Sequence, residues 1–166
     1  MCELPKLPQA RMYLKSAKWG FDSLHNHKPS GYEFRFYIIG ILASLRAVQH
    51  ALHAHDRKLS PEHDAAISRW WSTTKDWKAI PELNFIKTSR DMVLKEGTFE
   101  AGATYHEHSS GNEPPTVEYD LDYYPNGPDG EPRDLGRDIR AAIQWCEKEL
   151  SKIESELPDR PDGTQG

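Results

Sequence analysis

The feature that most constrains this chain is an apolar stripe in the stretch EFRFYIIGILASLRAVQHAL. Phe34, Ile38, Ile41, Leu45, Val48 and Leu52 recur at alternating steps of four and three, the spacing that puts side chains on one face of an α-helix. Tyr37 and Leu42 widen the stripe towards that of a helix in the middle of a bundle, and the pattern predicts a helix over about 32–56. The greasiest part, FYIIGILASL, is flanked by Arg35 and Arg46 and falls short of the ~20 residues a bilayer requires. It reads as a buried helix, so the chain must supply other helices to cover it, and no membrane is expected as a partner.

Four further segments answer that need. Ala10, Leu14, Ala17, Phe21 and Leu24 line one face of a first helix ending near NHKPSG. Ser60 reads as an N-cap with Pro61 at the first helical position. The third helix then runs to about 78 with Ile67, Trp70, Trp71, Thr74 and Trp77, tryptophans read as core and helix-crossing filler rather than a ligand cage. Pro81 opens a fourth helix with Phe85, Ile86, Ser89 and Val93 inward and Gly97 as its stop. A last helix over about 135–157 carries Ile139, Ile143, Cys146, Leu150, Ile153 and Leu157 before Pro158 ends it.

Between the fourth and last helices the period changes to two. Phe99, Ala101, Ala103 and Tyr105 alternate on one run, and Val117, Tyr119, Leu121 and Tyr123 on the next, a pattern of two strands joined by SSGNEPP. The fold expected is mainly α: an antiparallel bundle of about five helices with a small β-hairpin inserted before the last. It forms a single domain over 1–157, with the hairpin at 98–124, an irregular connector at 125–134 and a disordered tail at 158–166. At 166 residues such a domain buries roughly 70% of its unfolded surface, and no cross-link is required. Cys2 and Cys146 are unsuited to a disulfide framework, and MCELPKLPQARMYLK has no apolar core of a secretory signal; both favour the cytoplasm.

Charge is unevenly spread. Residues 1–97 hold 15 Lys/Arg and 10 Asp/Glu, a balance of +5, while 98–166 hold 6 and 16, a balance of −10. RNA, if it is a partner, belongs on the basic N-terminal part. Residues 113–138 carry eight Asp/Glu, among them Glu118, Asp120 and Asp122. That surface suits the basic groove of a protein partner, with a merely solvated loop as the plainer alternative.

Within TSRDMVLKEG, Arg90 sits beside inward-facing Ser89, at the edge of the core, where an unpartnered charge is costly. Asp91 or a carboxylate on a neighbouring helix is its expected structural partner, and phosphate its functional one, since a planar fork of donors suits phosphate oxygens.

Taken together, the long apolar second helix, the tryptophan-rich third and FIKTSRDMVLKEG resemble the HEPN helical bundles of bacteria, over residues 32–97. The resemblance implies a dimeric helical bundle that binds RNA or nucleotides, or a ribonuclease of toxin–antitoxin and phage-defence systems. In the nuclease members an Arg and a polar residue are followed, four to six residues on, by a His. Arg90 and Asp91 match the first two positions, but Lys95, Glu96 and Gly97 occupy the stretch of the His. RNA cleavage without a metal needs a group that takes the 2′-hydroxyl proton, and lysine is a poor base near neutral pH. The expectation is therefore binding without cutting, anchored by Arg90 with Arg46. A ribonuclease using Arg90 with Lys95, or with His50 and His53 on the Arg46 flank, is the enzymatic alternative.

Two other clusters bear on metals. His50 and His53 lie one turn apart without a metalloprotease pattern, and His106 and His108 share a strand face opposite Glu118, Asp120 and Asp122. Cross-strand pairing of imidazole with carboxylate explains the latter more simply, so no metal is expected. No Gly-rich phosphate loop marks a nucleotide cofactor, and none is expected.

Overall fold

The computed structural model describes residues 5–27, 29, 31–91, 100–108, 116–124 and 133–158, with backbone alone for 31, 32, 100–108, 116–124 and 133. Five helices dominate it. α1 spans Pro8–His27 and α2 spans Gly31–Ala54, and every position of both apolar stripes is buried. The short link between them folds the pair into an antiparallel hairpin packed along its length. The helices come close at Gly20, where a Cβ would stand 3.0 Å from Ile41 Cγ1.

α2 ends at Ala54, two residues before the predicted limit, and the chain enters a short 3-10 turn at Asp56–Lys58. Asp56 is fully buried. Its carboxylate accepts from the backbone N–H of Gln9 at 3.1 Å and of Ala10 at 2.9 Å, satisfying amides that the first turn of α1 leaves without helical partners. Desolvation by burial pushes the Asp56 carboxyl above its ordinary range, with those two hydrogen bonds opposing.

α3, Pro61–Thr73, begins as the sequence predicts: Ser60 Oγ accepts from the His63 N–H, with Pro61 in the first turn. It stops well before 78. Thr73 and Thr74 donate their hydroxyls back to the carbonyls of Trp70 and Trp71, and such hydroxyl bonds compete with continuation of the helix. Trp77 consequently lies in a separate 3-10 turn, Trp77–Ala79. The tryptophans divide accordingly. Trp70 is buried and donates its indole N–H to Glu149 at 2.7 Å, whereas Trp71 stays 39% exposed.

α4, Pro81–Asp91, buries Leu83, Phe85, Ile86 and Ser89; Val93, Lys95 and Gly97 lie outside the described residues. β1, Glu100–His108, pairs antiparallel with β2, Thr116–Tyr124, in a register that sets Tyr105 opposite Tyr119, Ala103 opposite Leu121 and His106 opposite Glu118. A third strand, β3 at Arg133–Asp134, pairs with β2 inside the stretch expected to be an irregular connector. Asp134 accounts for this. It is the N-cap of α5, accepting from the Arg137 N–H at 2.9 Å, and an N-cap has an extended backbone that suits a strand edge.

α5, Leu135–Ser155, packs against all four other helices. Its whole stripe is buried, Leu157 included. Lys6 Nζ caps its C-terminal end by donating to the Leu157 carbonyl at 2.8 Å, and Arg11 bridges from α1 to Glu147 and Glu154. Among the described residues no helix is long and apolar enough to cross a membrane.

Candidate functional site

In the packed bundle, α2 and α4 meet along flanks that border their core stripes. On α2 the flank next to the stripe carries Arg46, His50 and His53 at i, i+4 and i+7. On α4, burial of Phe85, Ile86 and Ser89 leaves Lys87 and Arg90 at the boundary. The two helices pack together, and three cations converge.

Arg46 is half-buried and donates from Nη1 to Gln49 Oε1 at 2.6 Å, Gln49 being 3% exposed. Burial holds its guanidinium below the ordinary pKa, the Arg90 charge depresses it further, and Asp91 opposes both. Lys87 repeats the pattern: burial lowers its pKa, Arg46 lowers it further and Asp91 opposes. Its ammonium lies 4.2 Å from the Trp77 ring centroid, a cation–π contact. Arg90 donates to Asp91 Oδ1 at 2.6 Å, so the structural partner expected for it is in place. Three cations and one carboxylate leave two positive charges in excess among these four groups. An arriving anion relieves that mutual repulsion, as one within about 4–6 Å favours the charged form of each.

The far end of the α2 flank is aromatic. The His53 ring stacks on Trp71 with centroids 5.5 Å apart, and its Nδ1 lies 3.2 Å from Arg57 Nη1. Arg57 in turn donates to Asp64 at 2.7 Å. At 1.5 Å rise per residue His53 is roughly 10 Å along α2 from Arg46, so the His53–Trp71 pair stands apart from the cation cluster, which Trp77 meets through Lys87.

The structure thus joins Arg46 to Arg90. It draws His53 into a separate aromatic patch and leaves His50 exposed, and no contact of either histidine with Arg90 occurs among the described residues. Lys95 and the side chains of His106, His108, Glu118, Asp120 and Asp122 lie outside them. No cluster of His, Cys, Asp and Glu suited to a metal ion occurs among the described residues. Sequence reasoning missed Lys87, Trp77 and Gln49. Lys87 had a signal, lying three residues before Arg90 on the same helical face. Trp77 had none, because its position depends on where α3 stops.

The fold is that of a helical bundle with a small antiparallel sheet, and the candidate site is a cation cluster with the Trp77 ring against Lys87. No protein-family model matches the chain, nor does any curated protein or solved structure.

Proposed function

We propose that this protein is a non-catalytic RNA-binding or regulatory module, using Arg46, Lys87 and Arg90 to hold phosphate and Trp77 and Trp71 to meet bases. The observation that carries the reading is that three cations from two helices stand within electrostatic range of one another with one carboxylate, paired to Arg90, among them. Phosphate supplies the missing charge, and arginine forks match its oxygens. Aromatic rings near cations are a usual way to hold single strands, since every base offers a face for stacking; here Trp71 is exposed and Trp77 is half-buried under Lys87. The resemblance of residues 32–97 to HEPN bundles supports the same class of ligand. Binding is favoured over cleavage because Lys95, Glu96 and Gly97 stand where the nuclease members carry their His, and among the described residues the one carboxylate beside Arg90, that of Asp91, is engaged with it in an ion pair.

The test is incubation with total RNA in the presence and absence of a chelator, comparing the unaltered chain with Arg90→Ala and with Arg46→Ala/Lys87→Ala/Arg90→Ala. Retention of intact RNA that disappears in the triple variant is the expected result. Unchanged retention in the triple variant overturns the site. Cleavage that survives chelation and is lost in Arg90→Ala overturns the non-catalytic reading in favour of a ribonuclease.

A further inference from the structure

The paired strands β1 and β2 carry a motif that the cation cluster does not use: His106 and His108 two residues apart, and Glu118, Asp120 and Asp122 at the same spacing. The register decides what each faces. His106 stands directly opposite Glu118, His108 opposite Thr116, Thr104 opposite Asp120 and Gly102 opposite Asp122. Directly opposed residues share a face of the sheet, as do residues two apart on one strand. Both histidines of β1 and all three carboxylates of β2 therefore belong to one face, while Tyr105, Tyr119 and Leu121 belong to the other.

Pairing of imidazole with carboxylate across the strands accounts for only part of this face. It serves His106 with Glu118, but the register sets no carboxylate opposite His108 and no imidazole opposite Asp120 or Asp122. On its other side Asp122 is paired with Asp134 of β3, whose carboxylate is committed to the start of α5 by accepting the Arg137 N–H. Carboxylates in a row repel one another, and the positions opposite these three on β1 and β3 supply no Lys or Arg to offset the charge.

The register also singles out one carboxylate. Glu118 is directly opposite His106 and diagonal to His108, whereas Asp120 is diagonal to His106 alone and Asp122 neighbours neither histidine. From the rise along a strand and the spacing between strands, the positions of His106, His108 and Glu118 mark a triangle with sides of about 5, 7 and 8 Å. Two imidazoles and one carboxylate at such positions are the donor set of a tetrahedral Zn²⁺ site whose fourth position is open. Imidazole nitrogen selects a transition metal over Mg²⁺ or Ca²⁺, which take oxygen ligands.

We propose that this face of the sheet is a binding site for a divalent transition-metal ion of the Zn²⁺ class, built on His106, His108 and Glu118. The ion offsets the charge of the carboxylate row, and its binding weakens in acid, where imidazole is protonated. The site is separate from Arg46, Lys87 and Arg90, so its test needs no RNA and stands apart from the proposed function.

The test takes the full chain freed of metal by a chelator and titrates it with Zn²⁺ alone, followed by calorimetry. The expected result is one tight site. His106→Ala and His108→Ala each lower its affinity by more than about a hundredfold, beyond the cost of losing an outer-shell partner, and Glu118→Gln by about tenfold or more. Asp120→Asn and His50→Ala/His53→Ala leave it unchanged. A second measurement depends on no variant's folding: Co²⁺ added to the unaltered chain broadens the backbone amide resonances of residues 104–108 and 116–120 before any others. Absence of Zn²⁺ binding overturns the inference. So does binding that survives His106→Ala/His108→Ala, a loss at Asp120 in place of Glu118, or broadening centred outside the two strands.

Discussion

Asp56, in the turn that follows α2, reaches back to the first turn of α1 and accepts the N–H of Ala10 at 2.9 Å. A fully buried carboxylate thereby caps a helix 46 residues earlier in the chain, tying the start of α1 to the end of α2.

Removing that carboxylate strands two amides at a helix start. Asp56→Ala should cost about 2–3 kcal/mol, combining a lost cap with buried donors left unsatisfied. Asp56→Asn, which keeps an acceptor oxygen for only one of the two amides, should cost about 1–2 kcal/mol. Urea unfolding followed by circular dichroism measures both. An alanine variant as stable as the parent would remove the cap from the account of the fold.

The same residue gives a pH signature. Its carboxyl is raised in the folded state from an ordinary 3.8, burial being the largest cause. A raised acid contributes stability that is full below its unfolded pKa and is lost as pH rises through the folded one. The stability of the parent relative to Asp56→Asn should therefore be greatest below pH 3.8 and fall as pH rises through the raised folded pKa. Unfolding curves at a series of pH values give the difference directly, and a difference that grows with pH would contradict the sign.

For the cation cluster the discriminating quantity is the salt slope of RNA binding. Each phosphate contact on a single strand contributes about 0.7 to the slope of log affinity against log salt. Alanine at Arg46, Lys87 or Arg90 should lower the slope by about that amount per residue, whatever the RNA sequence. Filter binding at several salt concentrations measures it. A loss of affinity with an unchanged slope would mean the residue acts through folding rather than through phosphate.

Trp70 tests the junction of α3 and α5. Glu149→Ala leaves the buried indole N–H without its acceptor and should destabilise by about 1–3 kcal/mol, whereas Glu149→Gln retains an acceptor oxygen and should cost less than about 1 kcal/mol. The comparison is made by thermal or urea unfolding. Equal losses in the two variants would assign the effect to charge instead of the hydrogen bond.

Cys146 should behave as an inert core side chain. Burial, reinforced by Glu147 and Glu149, pushes its thiol up to about 12, and the residue is 1% exposed. In a Cys2→Ser background its reaction with a chromogenic disulfide at neutral pH should be limited by unfolding, because the thiolate is the reactive form. Rapid labelling in the absence of denaturant would place the sulfur elsewhere.

Much of the helical framework was legible in the sequence. A helix keeps its own periodicity, so the steps of four and three in α1, α2 and α5 identified their buried faces without knowledge of any partner, and Ser60 with Pro61 announced the start of α3. Where hydroxyl side chains compete with the backbone the signal failed. The apolar spacing of Trp70, Trp71, Thr74 and Trp77 continues past the point where Thr73 and Thr74 end the helix.

Arg90 and Arg46 were separately legible as flank residues, but their proximity was not. Which flanks of two helices face each other depends on how every other helix packs, and no local pattern encodes it. The apolar faces were legible because they follow from a repeat of 3.6 residues per turn, and helix starts such as that of α3 from capping residues. Packing, by contrast, brings Arg46 and Lys87 into electrostatic range of Arg90 and Asp91, sets Asp56 at the start of α1, and leaves Trp19 and Phe36 in water. These relationships join residues distant in sequence, and their energies arise from burial and charge in a packed environment that a linear pattern does not contain.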